Sequence, residues 1–142
     1  MLPNTLIETN IQIMDDKYLY RDLSRLIVGA AFKVYYNTGF GMPEKYVQAA
    51  YAEELKLLNL KFEREYHLKL KYYDKAITKH YADFRVEDKI IVEIKIRPYL
   101  GYVHIKQVQA YLIASGDNLA IILYFTKDGV KFRRILNPNN KQ

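Results

Sequence analysis

The chain contains no cysteine, which removes disulfides, a thiol nucleophile and thiolate zinc sites from consideration. No run approaches the roughly 20 apolar residues that a membrane-spanning helix needs. The opening MLPNTLIETNIQI has neither the basic segment nor the compact apolar stretch of a secretion signal, so a cytoplasmic protein is expected. Internal repeats, low-complexity segments and linkers are also missing.

What the chain does have is apolar mass and positive charge. Half of its 142 residues are apolar, enough for one domain with a real core and too few for a second module. The expected domain is 1–142, with residues 1–15 as an N-terminal arm and 137–142 as a polar tail. The formal charge is +6 and the pI near 9.3, a balance that favours a polyanionic partner, because Lys and Arg on phosphates release condensed counterions. Fourteen tyrosines and six phenylalanines add surfaces on which exposed bases can stack. Nucleic acid is therefore the expected partner, and a membrane is not.

Two helices open the pattern. Leu19, Leu23, Leu26, Ile27, Ala30, Ala31 and Val34 recur in steps of three and four, predicting a helix from Asp16 to about Tyr36. Asp15 or Asp16 would cap its start, and the glycines of NTGFG would end it. Pro43 suits the first turn of a second helix reaching about Asn59, with Val47, Ala50, Tyr51, Leu55 and Leu58 inward.

Then the period falls to two. In LKFEREYHLKLKYY, Leu60, Phe62, Tyr66, Leu68, Leu70 and Tyr72 alternate with charged residues and His67, as in a strand with one wet face. A turn is expected over Tyr73–Ala76, and a hairpin from Tyr81 to Pro98. VHIKQVQAYLIAS predicts a helix stopped by Gly116, NLAIILYF a buried strand and VKFRRIL a last strand. Helix, helix, three strands, helix, two strands is an α+β order, a mixed central β-sheet flanked by helices.

The hairpin YADFRVEDKIIVEIKIRP carries charges where a core should be. Side chains alternate along a strand, so Ile90, Val92, Ile94 and Ile96 form one apolar face, while Ile91, Glu93 and Lys95 share the other. On the first strand, alternation groups Ala82, Phe84 and Val86 against Tyr81, Asp83 and Arg85. A three-residue loop at Glu87, Asp88 and Lys89 pairs Val86 with Ile90, Phe84 with Val92 and Asp83 with Glu93. This register matches both the apolar faces and the acids.

Two carboxylates so placed raise one another's pKa unless a cation lies between them. A hard divalent metal suits them, with the backbone carbonyl of Ile94 as a further oxygen donor. Lys95 would orient a water or stabilise charge on a phosphate, which together is equipment for phosphodiester hydrolysis. The alternative is a solvated salt-bridge network of Asp83, Glu93, Lys95 and Arg85. His67 and His80 show no metal-ligand spacing and are read as surface residues.

Asp83 followed by Glu93-Ile94-Lys95 resembles the D…(D/E)xK signature of the PD-(D/E)XK nuclease-like superfamily, with Ala82 at the position of its proline. GMPEKYV looks like the signature of the GxxExxY family within it, in Gly41 and Glu44, with Val47 at the tyrosine position and Tyr46 beside it. HIKQVQAYL is similar to that family's helix motif in His104, Gln107, Tyr111 and Leu112. The resemblance implies a restriction-endonuclease-like core and a Mg²⁺- or Mn²⁺-dependent nuclease, with DNA expected ahead of RNA. It implies metal at Asp83 and Glu93, Glu44 as a further ligand or outer partner, Lys95 at the chemistry and Gln107 in support. The rival is a non-catalytic nucleic-acid-binding or assembly module that keeps the fold, and a homodimer is the assembly considered.

Overall fold

Leu119–Thr126 is buried along its whole length, and the other elements are layered around it. The computed structural model describes residues 19–101 and 103–139. In chain order the elements are α1 (Arg21–Thr38), α2 (Glu44–Leu57), β1 (Phe62–Tyr72), β2 (Lys75–Val86), β3 (Ile90–Ile96), α3 (Ile105–Ser115), β4 (Leu119–Thr126) and β5 (Gly129–Leu136). The five strands lie side by side in chain order. β3 and β4 are parallel and every other neighbouring pair is antiparallel. A parallel pair cannot be joined by a tight turn, and α3 supplies the crossover. The α+β class and the mixed sheet are as the sequence pattern predicts.

One face of the sheet carries α1 and α2, and the other carries α3. Ile90, Val92 and Ile94 of β3 join Leu119, Ile121, Leu123 and Phe125 of β4 beneath the first two helices. Ile91, Ala120, Ile122 and Tyr124 point to the opposite face, against Val108 and Leu112 of α3. A strand covered on both faces is apolar throughout, which is why NLAIILYF shows no alternation. Tyr51 of α2 is wholly buried and donates its hydroxyl to the Ile27 carbonyl of α1 at 2.9 Å. Its ring meets Phe84 edge-on at 5.2 Å, so one side chain joins both helices to the sheet.

Several boundaries differ from those the pattern predicts. The first described residue of α1 is Arg21, preceded by Tyr20 in a left-handed conformation (φ 54°). The proposed caps Asp15 and Asp16, and the expected arm 1–15, lie outside the described residues. Gly39 closes the helix at φ 68°, its N–H donating to the Tyr35 carbonyl at 2.7 Å. Pro43 stands one place before α2 rather than within its first turn. The turn after β1 is only Tyr73 and Asp74, at φ 48° and 65°, the tight form whose twist suits a hairpin. β2 therefore begins at Lys75, six residues before the expected Tyr81. The tail too is partly structural: Asn137 is buried and donates to the carbonyls of Leu112 and Asp117, each at 2.9 Å.

The hairpin has two of the three expected pairs, Val86 opposite Ile90 and Phe84 opposite Val92 around Glu87–Lys89, and its ladder ends before the third, Asp83 with Glu93. The faces of β1 and β2 are not the expected ones. Phe62 and Phe84 pack beneath α1 and α2, whereas Tyr66, Leu68 and Ala82 pack beneath α3. Residues two or four apart should share a face, so both strands reverse their facing between these positions. The register runs Arg64 to Phe84 and Tyr66 to Ala82, and the residue between on β1, Glu65, has φ 50°. Its counterpart on β2 is Asp83. Ala82 thus belongs to the core beneath α3, not to the set of Phe84 and Val86.

Candidate active site

Asp83 occupies the position where β2 parts from β3, since the pairing between them ends at Phe84 and Val92. Its Oδ2 accepts a hydrogen bond from the Ile94 amide at 2.7 Å, in place of the next ladder bond. A strand residue directs its N–H and C=O toward the same neighbour, so the Ile94 carbonyl also faces this opening.

Glu93 lies beside Asp83 and is 4% exposed. Burial and the Glu93 charge push the Asp83 pKa up to about 7, against the opposing pull of the Ile94 amide and the Lys95 ammonium. Lys95, half-buried, is thus within electrostatic reach of the pair without neutralising it.

Two elements supply the surroundings. His80 of β2 places Nε2 3.1 Å from Oε1 of Glu93, and its ring stacks on Tyr111 of α3 with centroids 4.1 Å apart. Gln107 lies between His104 and Tyr111 on one face of α3, near enough to influence both. Burial, then Lys95, lowers the His104 pKa, keeping this imidazole neutral near pH 7. Burial and the Glu93 charge raise that of Tyr111. Arg97 closes the rim, 3.5 Å from His104 Nε2.

His80 is therefore not the surface residue that its sequence context suggests. Plain alternation puts it on the face of Phe84, away from Glu93. The reversal at Asp83 turns it beneath α3, and only an element-wide reading of Ala82 and Leu68 would have signalled this.

Asp83, Glu93 and Lys95 come together, as do His104, Gln107 and Tyr111. Glu44 does not join them. It is exposed at the start of α2, the helix on the far face of the sheet from His80 and Tyr111. Among the described residues no three Asp, Glu or His side chains are gathered as a metal-holding set. Val47 is buried in the core beneath α1 and α2, so the residue at that position concerns packing. Arg85 leaves the proposed salt-bridge network: it pairs with Asp117 at 3.0 Å and lies over the Tyr66 ring at 4.9 Å.

The donor set fits a hard divalent cation. Mg²⁺ is commonly held by only one or two carboxylates plus waters and substrate oxygens, and Asp83, Glu93 and the Ile94 carbonyl are oxygen donors of that kind.

A mixed sheet with a helical crossover, bearing an acid on one strand and Glu-x-Lys on the next, defines a nuclease-like α+β fold. The profile of the PD-(D/E)XK nuclease superfamily matches residues 21–135, and the chain belongs to that superfamily. Among solved structures, an alkaline exonuclease (LHK-Exo) from Laribacter hongkongensis is similar at 14% identity and TM-score 0.51, over 92% of this chain and 76% of that one. The crystal structure of SSO0001 aligns at 18% identity and TM-score 0.46, over 99% of this chain and 79% of the other. No curated protein matches the sequence significantly. Among the described residues no helix is long and apolar enough to cross a membrane.

Proposed function

We propose that the protein is a Mg²⁺- or Mn²⁺-dependent nuclease that hydrolyses phosphodiester bonds, with DNA as substrate ahead of RNA. The observation that carries this reading is the Asp83–Glu93 pair, two neighbouring carboxyl groups with Asp83 raised to about 7 by burial and the Glu93 charge. A structural salt bridge would place a cationic side chain between them. A bound divalent ion would supply charge for the phosphate oxygens and make water a better nucleophile. Asp83 and Glu93 would hold it, with the Ile94 carbonyl as a third donor.

Lys95 would orient the attacking water or neutralise the phosphorane. Gln107 would act indirectly, fixing His104 and Tyr111 along the α3 face. Glu44, exposed at the start of α2, would serve as a further ligand or outer partner, as the motif resemblance implies. Placement within the GxxExxY family rests on Gly41, Glu44 and the His104–Leu112 helix, and is part of this proposal, as are a cytoplasmic location and a homodimer.

Labelled single- and double-stranded DNA and RNA, incubated with Mg²⁺, Mn²⁺ or chelator, test the reading. Cleavage that needs metal and is lost in Lys95→Ala is expected. Metal binding without cleavage of any substrate would favour a non-catalytic module that keeps the fold.

A further inference from the structure

β1 and β2 outrun the rest of the sheet. They pair with each other from Phe62–Val86 to Tyr72–Lys75, while β3 reaches only Phe84. α3 covers the middle of this ribbon through Leu68, and beyond it every residue from Lys71 to Thr78 is exposed. At roughly 3.3 Å per residue, the tip at Asp74 stands about 30 Å along the ribbon from Asp83.

This tip is not an ordinary solvated hairpin. Tyr72 and Tyr73 are 62% and 86% exposed, with ring centroids 4.7 Å apart, and Ile77 is 66% exposed. Large apolar side chains so displayed on a protruding arm mark an interaction surface. Lys69, Lys71 and Lys75 are interleaved with them, and the one acid between His67 and Tyr81 is Asp74.

We propose that this arm grips a single-stranded stretch of the substrate, Tyr72 and Tyr73 stacking on unpaired bases and Lys69, Lys71 and Lys75 holding phosphates. The proposal rests on the nuclease reading, because the arm is the same strand that delivers Asp83. Aromatic faces interleaved with lysines are the equipment for single strands, since every base has a face to stack on. Of Arg, Lys, Asn and Gln, the side chains that read base edges bidentately in a duplex groove, His67–Tyr81 contains only lysine. A second copy of the chain would bring the same lysines against this surface, which disfavours self-pairing.

Fluorescence anisotropy in chelator, with labelled oligothymidine and its duplex with oligoadenosine, tests the assignment. Wild type is expected to prefer the single strand. Tyr72→Ala/Tyr73→Ala should weaken single-strand binding roughly tenfold or more, with little change on duplex and an unchanged melting temperature. Lys71→Ala/Lys75→Ala should flatten the dependence on log salt by about 1.4. Wild-type binding and cleavage unaffected by the tyrosine changes would overturn the arm assignment alone. Loss of binding only together with loss of a dimer, seen by sedimentation, would assign the arm to self-association and overturn it too. A wild type that binds neither probe at low salt would sink the nuclease reading along with it.

Discussion

Replacing Asp83 by asparagine should stabilise the metal-free protein above neutral pH. The folded chain holds the Asp83 proton with a pKa raised from 3.8 to about 7, chiefly by burial and the Glu93 charge. A carboxyl whose folded pKa is raised binds its proton more tightly folded than unfolded. Its destabilising effect is therefore absent below about pH 4, grows as pH rises through the folded pKa, and is complete above it. At about 1.4 kcal/mol per unit, the ceiling is roughly 4 kcal/mol. Asp83 is half-buried and electrostatically coupled to Glu93, so screening and coupling reduce this to on the order of 1–2 kcal/mol. For a chain of this size that is about 4–8 °C in Tm. Asparagine keeps an oxygen to accept the Ile94 amide, so that bond is not sacrificed. Melting curves in chelator should lie closest for wild type and Asp83→Asn near pH 4 and move apart steadily up to pH 8.5, the variant melting higher. Millimolar Mg²⁺ or Mn²⁺ should then raise the wild type and leave the variant in place. A variant that melts at or below wild type at pH 8.5 in chelator would refute the reasoning and make the carboxylate pair structural.

Other perturbations address neighbouring parts of the site and fold. Lys95→Ala is expected to abolish cleavage while Mn²⁺ binding, followed by calorimetric titration, stays close to wild type. His80→Ala leaves the buried Glu93 without its imidazole partner and should weaken Mn²⁺ binding roughly tenfold, the usual scale for groups that orient a metal ligand. Unchanged affinity would make His80 a packing residue only. Asn137→Ala removes two hydrogen bonds, leaving the Leu112 carbonyl with the Gly116 N–H alone and the Asp117 carbonyl without this donor, and should cost about 1–2 kcal/mol in a denaturant titration. Asn139→Ala, which removes only an exposed side chain, should be neutral.

The hairpin was legible because two independent requirements, apolar faces and acids, agree on one register. The helices were legible from their steps of three and four, and the chain's order of elements followed. Face assignment along β2 was not, because it assumed unbroken alternation through Asp83. That single reversal at Glu65 and Asp83 accounts for Ala82, whose partners lie beneath α3, and for His80, which reaches Glu93. β2 from Lys75 to Thr78 gave no strand signal because its residues are exposed and carry no apolar period. Asn137 resembled a tail residue because a polar side chain that satisfies buried carbonyls looks, in sequence, like one that faces water. Glu44 was placed by motif, and motif spacing carries no information about which side of a sheet a helix covers.

The two-residue turn at Tyr73 and Asp74 lies at the end of a ribbon whose outer part, Lys71 to Thr78, is exposed on every residue. Length at that end is consequently close to a free variable of the chain. Adding one residue to each strand moves the tip outward and flips its facing, while adding two to each restores the facing and extends the reach by about 7 Å. Neither change touches Asp83, the ladder to β3 or the buried strand β4. Amide protons of the outer ribbon should exchange early and those of β4 last. Relatives of different reach could therefore be produced by insertion at one turn, with the carboxylate pair held fixed.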